Sequence, residues 1–399
     1  MSKKNTVSIE RRDDFGRNSS KKIKKESNIS RSKNPKLRFP GFNEPWMSKK
    51  LKDLVKITMG QSPSSSKYNT NKKGVPLIQG NADLNNGVVN PKVYTTQITK
   101  KAEKGDIILT VRAPVGDIAI TNIDCCIGRG VCAIKGDEFY YYLLENLKSK
   151  NIWKKYVQGT TIESINTNDL SNLKVRVPTN KNEIKKITVL LKKTDSKLRL
   201  MEQKNKKIKY DVKNYLLSNL FVENKEEDIL SWDEKDLDNI SSISTGNCDL
   251  KDNIEDGKYP FFVRSEKVER IDSYAYDGEA ILIPGDGRVG QIFHYINGKF
   301  NYHQRVYKIS DFKDVIGKYV YYYLQQYFLR HVHKYSVKAT VDSLRLPIIK
   351  EMKIRYPSIK KQEKIVNILS CVDKKIELSN KQISLMKNYK KGLLQKMFI

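Results

Sequence analysis

No run of this 399-residue chain approaches the roughly 18 consecutive apolar residues of a membrane span, so a membrane-crossing helix is excluded. The N-terminus stays polar well past residue 30, which predicts no secretory signal and a cytoplasmic protein. Cysteine is scarce. Cys125, Cys126, Cys132, Cys248 and Cys371 make an odd number with no C-x-x-C pair, which excludes a disulfide scaffold or zinc ribbon and points to reduced thiols. The four histidines include only one close pair, His331 and His333, in a basic stretch without cysteine, so no metal is expected. Acidic side chains are outnumbered 45 to 75 by lysine and arginine, leaving a net charge of +30. A surplus of this size is a footprint for a polyanion, nucleic acid first, with lysine-rich codon usage as the bland alternative.

Catalytic signatures are missing too. There is no G-x-x-x-x-G-K-S/T loop for ATP, no Asn-Pro-Pro-Tyr stretch for methyl transfer and no Pro-Asp dipeptide to begin a nuclease motif. G-x-S-x-G and H-E-x-x-H are absent. GDGRVG (residues 285–290) matches G-x-G-x-x-G in form. A strand-like QIFHYI follows it where a dinucleotide site needs a helix, so it reads as a turn. The chain therefore reads as non-catalytic, binding no cofactor of its own.

What is present is a duplication. Trp46, Leu51 and Gly60 recur as Trp232, Leu237 and Gly246, at an offset of 186. GDIILTVRAPVG (105–116) parallels GEAILIPGDGRVG (278–290), and YYYL at 140–143 parallels YYYL at 321–324. GTTIESI (159–165) parallels KATVDSL (338–344), and KVRVP ending at Pro178 parallels KIRYP ending at Pro357. Short β-type runs at 75–79, 106–112, 131–135 and 280–284 alternate with aromatic-faced helices at 139–157 and 319–332, so each copy is α+β. The matched tyrosines, 140–142 and 321–323, are expected to pack in the core rather than to stack on bases.

After each proline a long charged helix is predicted, ending in LLSNLF (216–221) or LLQKMF (393–398). In the first, Ile184, Ile187, Leu191, Thr194, Leu198, Met201, Asn205, Ile208, Val212 and Tyr215 step by threes and fours. In the second, Ile365, Leu369, Val372, Ile376, Ser379, Ile383, Met386, Lys390, Leu393 and Met397 do the same. These are heptad seams narrow enough for one helix to pack on the other, with Asn205 and Ser379 as polar register positions. Helices of about 36–40 residues span roughly 55–60 Å. Antiparallel pairing is expected because each globule starts its helix in the same way.

The expected layout is a basic disordered tail (1–35), a first globule (36–180), a spacer helix (181–221), a second globule (222–357) and a C-terminal helix (358–399). Groups suited to base edges and phosphates are sought on loops beside β-runs. In the first globule these are Gln79, Asn81, Arg112, Arg129, Thr160 and Thr161. In the second they are Arg264, Ser265, Arg288, Gln304, Arg305, Lys338 and Thr340. Arg129 in GRGV and Arg305 in HQRV are expected to occupy matching positions, and Arg112 and Arg288 to flank matching turns. Each of these side chains competes with an ordinary surface role.

A duplicated α+β globule, each copy followed by a Pro-x-x-x-x-Glu/Gln start into a long helix, resembles the specificity subunits of type I restriction–modification enzymes. The resemblance rests on Trp46 and Trp232, GDIILTVRAPVG, GTTIESI and KATVDSL, and the helix starts PTNKNEIKKITVLLKKTD (178–195) and PSIKKQEKIVNILSCVD (357–373). It covers residues 36–399; no one motif is specific, but their order is. It implies two target recognition domains joined by two long antiparallel coiled-coil helices, each domain reading half of a split site in double-stranded DNA. Half-sites about one helical turn (~34 Å) apart suit a pseudo-two-fold reader. It also implies two methyltransferase subunits docked on the helices, and restriction/translocase subunits joined through them. S-adenosylmethionine and ATP with magnesium would be bound by those partners. One departure is that Pro178 to Asp195 is a residue longer than Pro357 to Asp373. Two other classes remain open: a single-chain restriction–methylation enzyme, and a basic coiled-coil adaptor for an acidic protein.

Overall fold

Trp46 and Trp232 begin the two halves in the same way. After Trp46, strand Met47–Lys50 pairs antiparallel with Lys174–Val177; after Trp232, Asp233–Asp236 pairs antiparallel with Lys353–Tyr356. The next leucines do equivalent work, the Leu51 N–H donating to the Leu173 carbonyl and that of Leu237 to Met352, each at 2.9 Å. The computed structural model describes residues 34–156, 164–222, 232–335 and 343–399. The tail expected at 1–35 lies almost wholly outside them. The chain divides into two compact units, Met1–Lys185 with Gln395–Ile399, and Lys186–Leu394.

In the first unit a six-stranded sheet runs in the order Lys56–Met59, Val131–Lys135, Ile107–Thr110, Ile118–Ile120, Val88–Val89, Leu84–Asn85. A five-stranded sheet is centred on Val75–Ile78. The strand Ile107–Thr110 is buried at every residue, as a sheet covered on both faces requires. Helix Glu138–Ser149 buries Phe139, Tyr141, Tyr142 and Leu143. Phe398 meets Phe139 and Trp46 at ring distances of 5.4 and 6.1 Å, so the chain's last aromatic completes this unit's core.

The second unit repeats the plan. Its six-stranded sheet runs Ser242–Thr245, Val306–Ser310, Tyr276–Pro284, His294–Tyr302, Tyr259–Phe262, Val268–Ile271. Helix Gly317–His333 buries Tyr319, Tyr322, Tyr323 and Phe328, and Phe221 packs edge-on against Tyr319 and Tyr323. The landmark glycines share one cause. A Cβ at Gly60 would collide with the carbonyl oxygens of Gly128 and Val131, and one at Gly246 with those of Tyr302 and His303.

The long helices lie side by side in the second unit. Asp195 pairs with Lys390 at 2.8 Å, Glu202 with Lys387 at 2.8 Å, and Lys213 with Asp373 at 2.6 Å; Asn205 donates to Asn380 at 2.7 Å. Partners descend along one helix as they ascend along the other, so the pair is antiparallel. Ile187, Leu191, Ile365, Leu369, Ile383 and Leu393 are buried on the seams, and Ile184, Leu198, Met201, Ile208, Val372, Ile376 and Met386 half-buried. Val212 and Tyr215 depart from the expected seam, being 39% and 66% exposed. The reason is a π-helical turn at Ile208–Val212, between Lys181–Lys207 and Lys213–Leu220. Such a turn holds one residue more than the α-helix it interrupts. Beyond it the inward positions become Lys213, Leu216, Leu217 and Leu220. The second helix, Ile359–Met397, runs without interruption.

Candidate nucleic-acid interface

In both units the candidate residues gather at strand ends: in the first, Arg112 and Arg129 beside strands of the six-stranded sheet and Gln79 and Asn81 just after Val75–Ile78 of the five-stranded sheet; in the second, Arg264, Gln304 and Arg305 beside strands of the six-stranded sheet. Backbone pairing aligns the two units residue by residue. The Val111 N–H donates to the Gly130 carbonyl, and the Gly285 N–H to that of Arg305, at 2.9 and 2.7 Å. The Gly128 N–H donates to Ile78, and the His303 N–H to Phe262, at 2.8 and 2.9 Å. Isolated bridges join Arg112 to Ser164 and Asp286 to Ser343. Arg129 therefore matches Gln304, while Arg305 matches Gly130. This shifts the expected Arg129–Arg305 equivalence by one residue, because both strands are anchored at Val131 and Val306. By the same ladder Arg112 matches Asp286, and Gly80 matches Arg264.

In the first unit Gln79, Asn81, Arg112 and Arg129 line one open concavity of ≈ 470 Å³, together with Lys92 and Asp83. Arg112, Arg129, Asn81 and Lys92 are exposed. Among the described residues none of these four side chains, nor that of Gln79, makes a hydrogen bond or ion pair. Asp83 is 8% exposed and turns inward, accepting from the Gln79 and Gly80 N–H groups at 2.8 and 3.3 Å. Its negative charge thus shapes the loop, while the outward donors make no bond among the described residues.

The second unit has a comparable concavity of ≈ 520 Å³, lined by Arg264, Ser265, Asp286 and His303 among others. Here Arg264, Arg288, Gln304 and Ser265 are engaged, while the Arg305 guanidinium makes no bond among the described residues. Arg264 Nη1 lies 3.3 Å from Asp286 Oδ2, Arg288 Nη2 lies 2.7 Å from Glu266, and Gln304 Nε2 donates to Asp249 at 3.0 Å. Ser265 Oγ donates to the Lys267 carbonyl at 3.1 Å. Arg305 is exposed, and its N–H donates to Nδ1 of the buried His303 at 2.8 Å. Burial pulls the His303 imidazole below its ordinary range, helped by the positive charges of Arg264 and Arg305. His294 is lowered by burial as well, its Nε2 lying 3.0 Å from the Ser265 carbonyl.

Thr160, Thr161, Lys338 and Thr340 lie outside the described residues. Sequence reading missed Asp286, Asp249 and Glu266, because a search among cationic, amide and hydroxyl side chains passes over the carboxylates that hold them. It also missed Lys92, which no local motif marks. GDGRVG is a turn, with Gly287 and Gly290 at φ of 79° and 70°, and strand His294–Tyr302 follows it. The tyrosine pairs Tyr141–Tyr142 and Tyr322–Tyr323 are buried, not presented as stacking platforms.

A family model for the type I restriction modification DNA specificity domain matches residues 43–210 and again 230–388. The chain is 36% identical over 173 residues to a putative type I restriction enzyme MjaX specificity subunit of Methanocaldococcus jannaschii, a match spanning 41% of this chain and 40% of that protein. It is 24% identical over 403 residues to the MjaIX specificity subunit of the same organism, covering 88% and 92% of the two. The crystal structure of a type I restriction-modification S subunit from M. genitalium superposes with a TM-score of 0.61 at 19% identity, over 92% of this chain and 99% of that one.

Proposed function

From the premise that the chain belongs to the type I restriction–modification DNA specificity family, we propose that it is the DNA-recognition subunit of such a complex and that each globule reads one half of a bipartite site. Residues 36–180 and 222–357 act as the two target recognition domains, and the helices at 181–221 and 358–399 set the gap between half-sites. Catalysis belongs to partners: methyltransferase subunits docked on the helices, and restriction subunits joined through them. S-adenosylmethionine, ATP and magnesium sit on those chains, and this one acts in the cytoplasm.

The observation carrying this reading is that both units place polar and cationic groups at the same strand ends, on the same ladder, with different side chains. A duplicated reader with unlike tips recognises two unlike half-sites held at a set distance. Phosphate contacts position such a protein, and base contacts from the tips specify the sequence. Co-expression of the full chain with its methyltransferase subunits, followed by mapping of methylated positions across a genome, tests it. A motif of two short words separated by a constant gap is expected. A single continuous word overturns the reading.

A further inference from the structure

We propose that the two heads read chemically opposite base edges: the first uses Arg112 and its unengaged neighbours as donors to guanine, and the second uses Asp286 as an acceptor for the amino group of cytosine. This rests on the bipartite reading above and goes further, to the base class each head selects.

Arg112 and Asp286 occupy the same place on the repeated ladder, one residue beyond the N–H groups that pair with Gly130 and Arg305. A donor-only cation in one head is thus replaced by an acceptor-only anion in the other. Arg112 and Arg129 share a concavity whose one lining carboxylate, Asp83, is spent on backbone N–H groups. Two guanidinium groups with no partner among the described residues keep their paired N–H donors for a ligand. Guanine, with O6 and N7 side by side in the major groove, is the edge that matches such a fork.

In the second head Arg264 and Arg288 already have carboxylate partners, Asp286 and Glu266, while Arg305 lies exposed one residue beyond Gln304. Arg264 stands where the first head has Gly80, and it holds Asp286 through Oδ2 alone. Asp286 Oδ1 has no hydrogen bond among the described residues. A bare carboxylate approaching DNA would be repelled by the phosphates; Arg264 offsets that charge and fixes the group's orientation. A carboxylate oxygen in the major groove accepts from the cytosine N4 amino group. The Arg264–Asp286 pair is therefore a preset acceptor, with Arg264 as its positioning residue.

The test uses the full chain co-expressed with its methyltransferase subunits, comparing wild type with Arg112→Gln, Arg112→Lys and Asp286→Asn by methylation mapping. Selection of bound duplexes from a random pool by the same complexes gives a second readout that needs no methylation. Arg112→Gln is expected to reduce the preference for guanine at one position about ten- to a hundredfold, leaving the other half-site unchanged. Arg112→Lys should retain part of that preference. Asp286→Asn should relax a cytosine position in the other half alone. Variants that weaken all sites uniformly, or an altered position that was never guanine or cytosine, overturn the inference while a two-part wild-type motif stands. A continuous wild-type motif sinks the bipartite reading itself.

Discussion

Glu183 and Gln362 stand five residues after Pro178 and Pro357, and both are fully buried at the start of a long helix. Each fastens its helix by a different chemistry. Glu183 accepts from Arg38 Nε and Nη2 at 2.6 and 2.9 Å, and from the Trp46 indole at 3.4 Å. Gln362 accepts from the Ile316 N–H and donates to the Pro357 carbonyl, both at 2.9 Å. Removing one partner of a buried ion pair leaves the other charge stranded, so Arg38→Ala should destabilise the first unit by about 3–5 kcal/mol in denaturant unfolding. Arg38→Met combined with Glu183→Leu should recover most of that loss. Histidine adds a pH dependence. His294 and His303 are both lowered by burial, so the unfolded chain takes up their protons first as pH falls. Their contribution is complete above about 6.5, the ordinary histidine value, and declines as pH falls from there toward the lower folded values. Melting temperatures between pH 8 and 5 should fall across that interval, and less steeply for His303→Gln.

The helices show what a periodic pattern can and cannot reveal. The three-four alternation, the paired seams and the burial of Leu191 and Leu369 follow from residue order alone. The π turn does not, because Ile208, Val212 and Tyr215 continue an unbroken apolar rhythm. Only the cross-helix partners show that Lys213, not Val212, sits at the seam, held by Asp373. The extra residue is taken up locally. Deleting Asp211 should restore a plain α-helix, keep the Lys213–Asp373 pair and change stability by less than about 1 kcal/mol. Deleting the exposed Lys375 from the uninterrupted second helix would rotate everything after it by about 100°. That should cost more than about 4 kcal/mol, measured by thermal unfolding. A Leu369→Ala cavity at the fully buried seam should cost about 2–5 kcal/mol.

At the scale of the whole molecule, charge and duplication act together. A net charge of +30 predicts DNA affinity that falls steeply with salt. If six or more phosphates are contacted, affinity should drop about a thousandfold between 50 and 200 mM salt, followed by fluorescence anisotropy on a labelled duplex. An adaptor for an acidic protein would show no such DNA binding. The two units differ in their cations: among the described residues Arg112 and Arg129 of the first make no side-chain bond, while in the second Arg264 and Arg288 pair with Asp286 and Glu266 and Arg305 stays exposed.

The doubling, the α+β character of each copy, the buried tyrosines and the helix pair are written in residue order, since each follows from a local period or a repeated word. The one-residue shift at Ile208–Val212, the match of Arg129 to Gln304 and the opposition of Arg112 to Asp286 are not. They depend on which backbone groups meet across strands and which charges meet across loops. Those meetings join residues far apart in the chain, and no short window of sequence contains both partners.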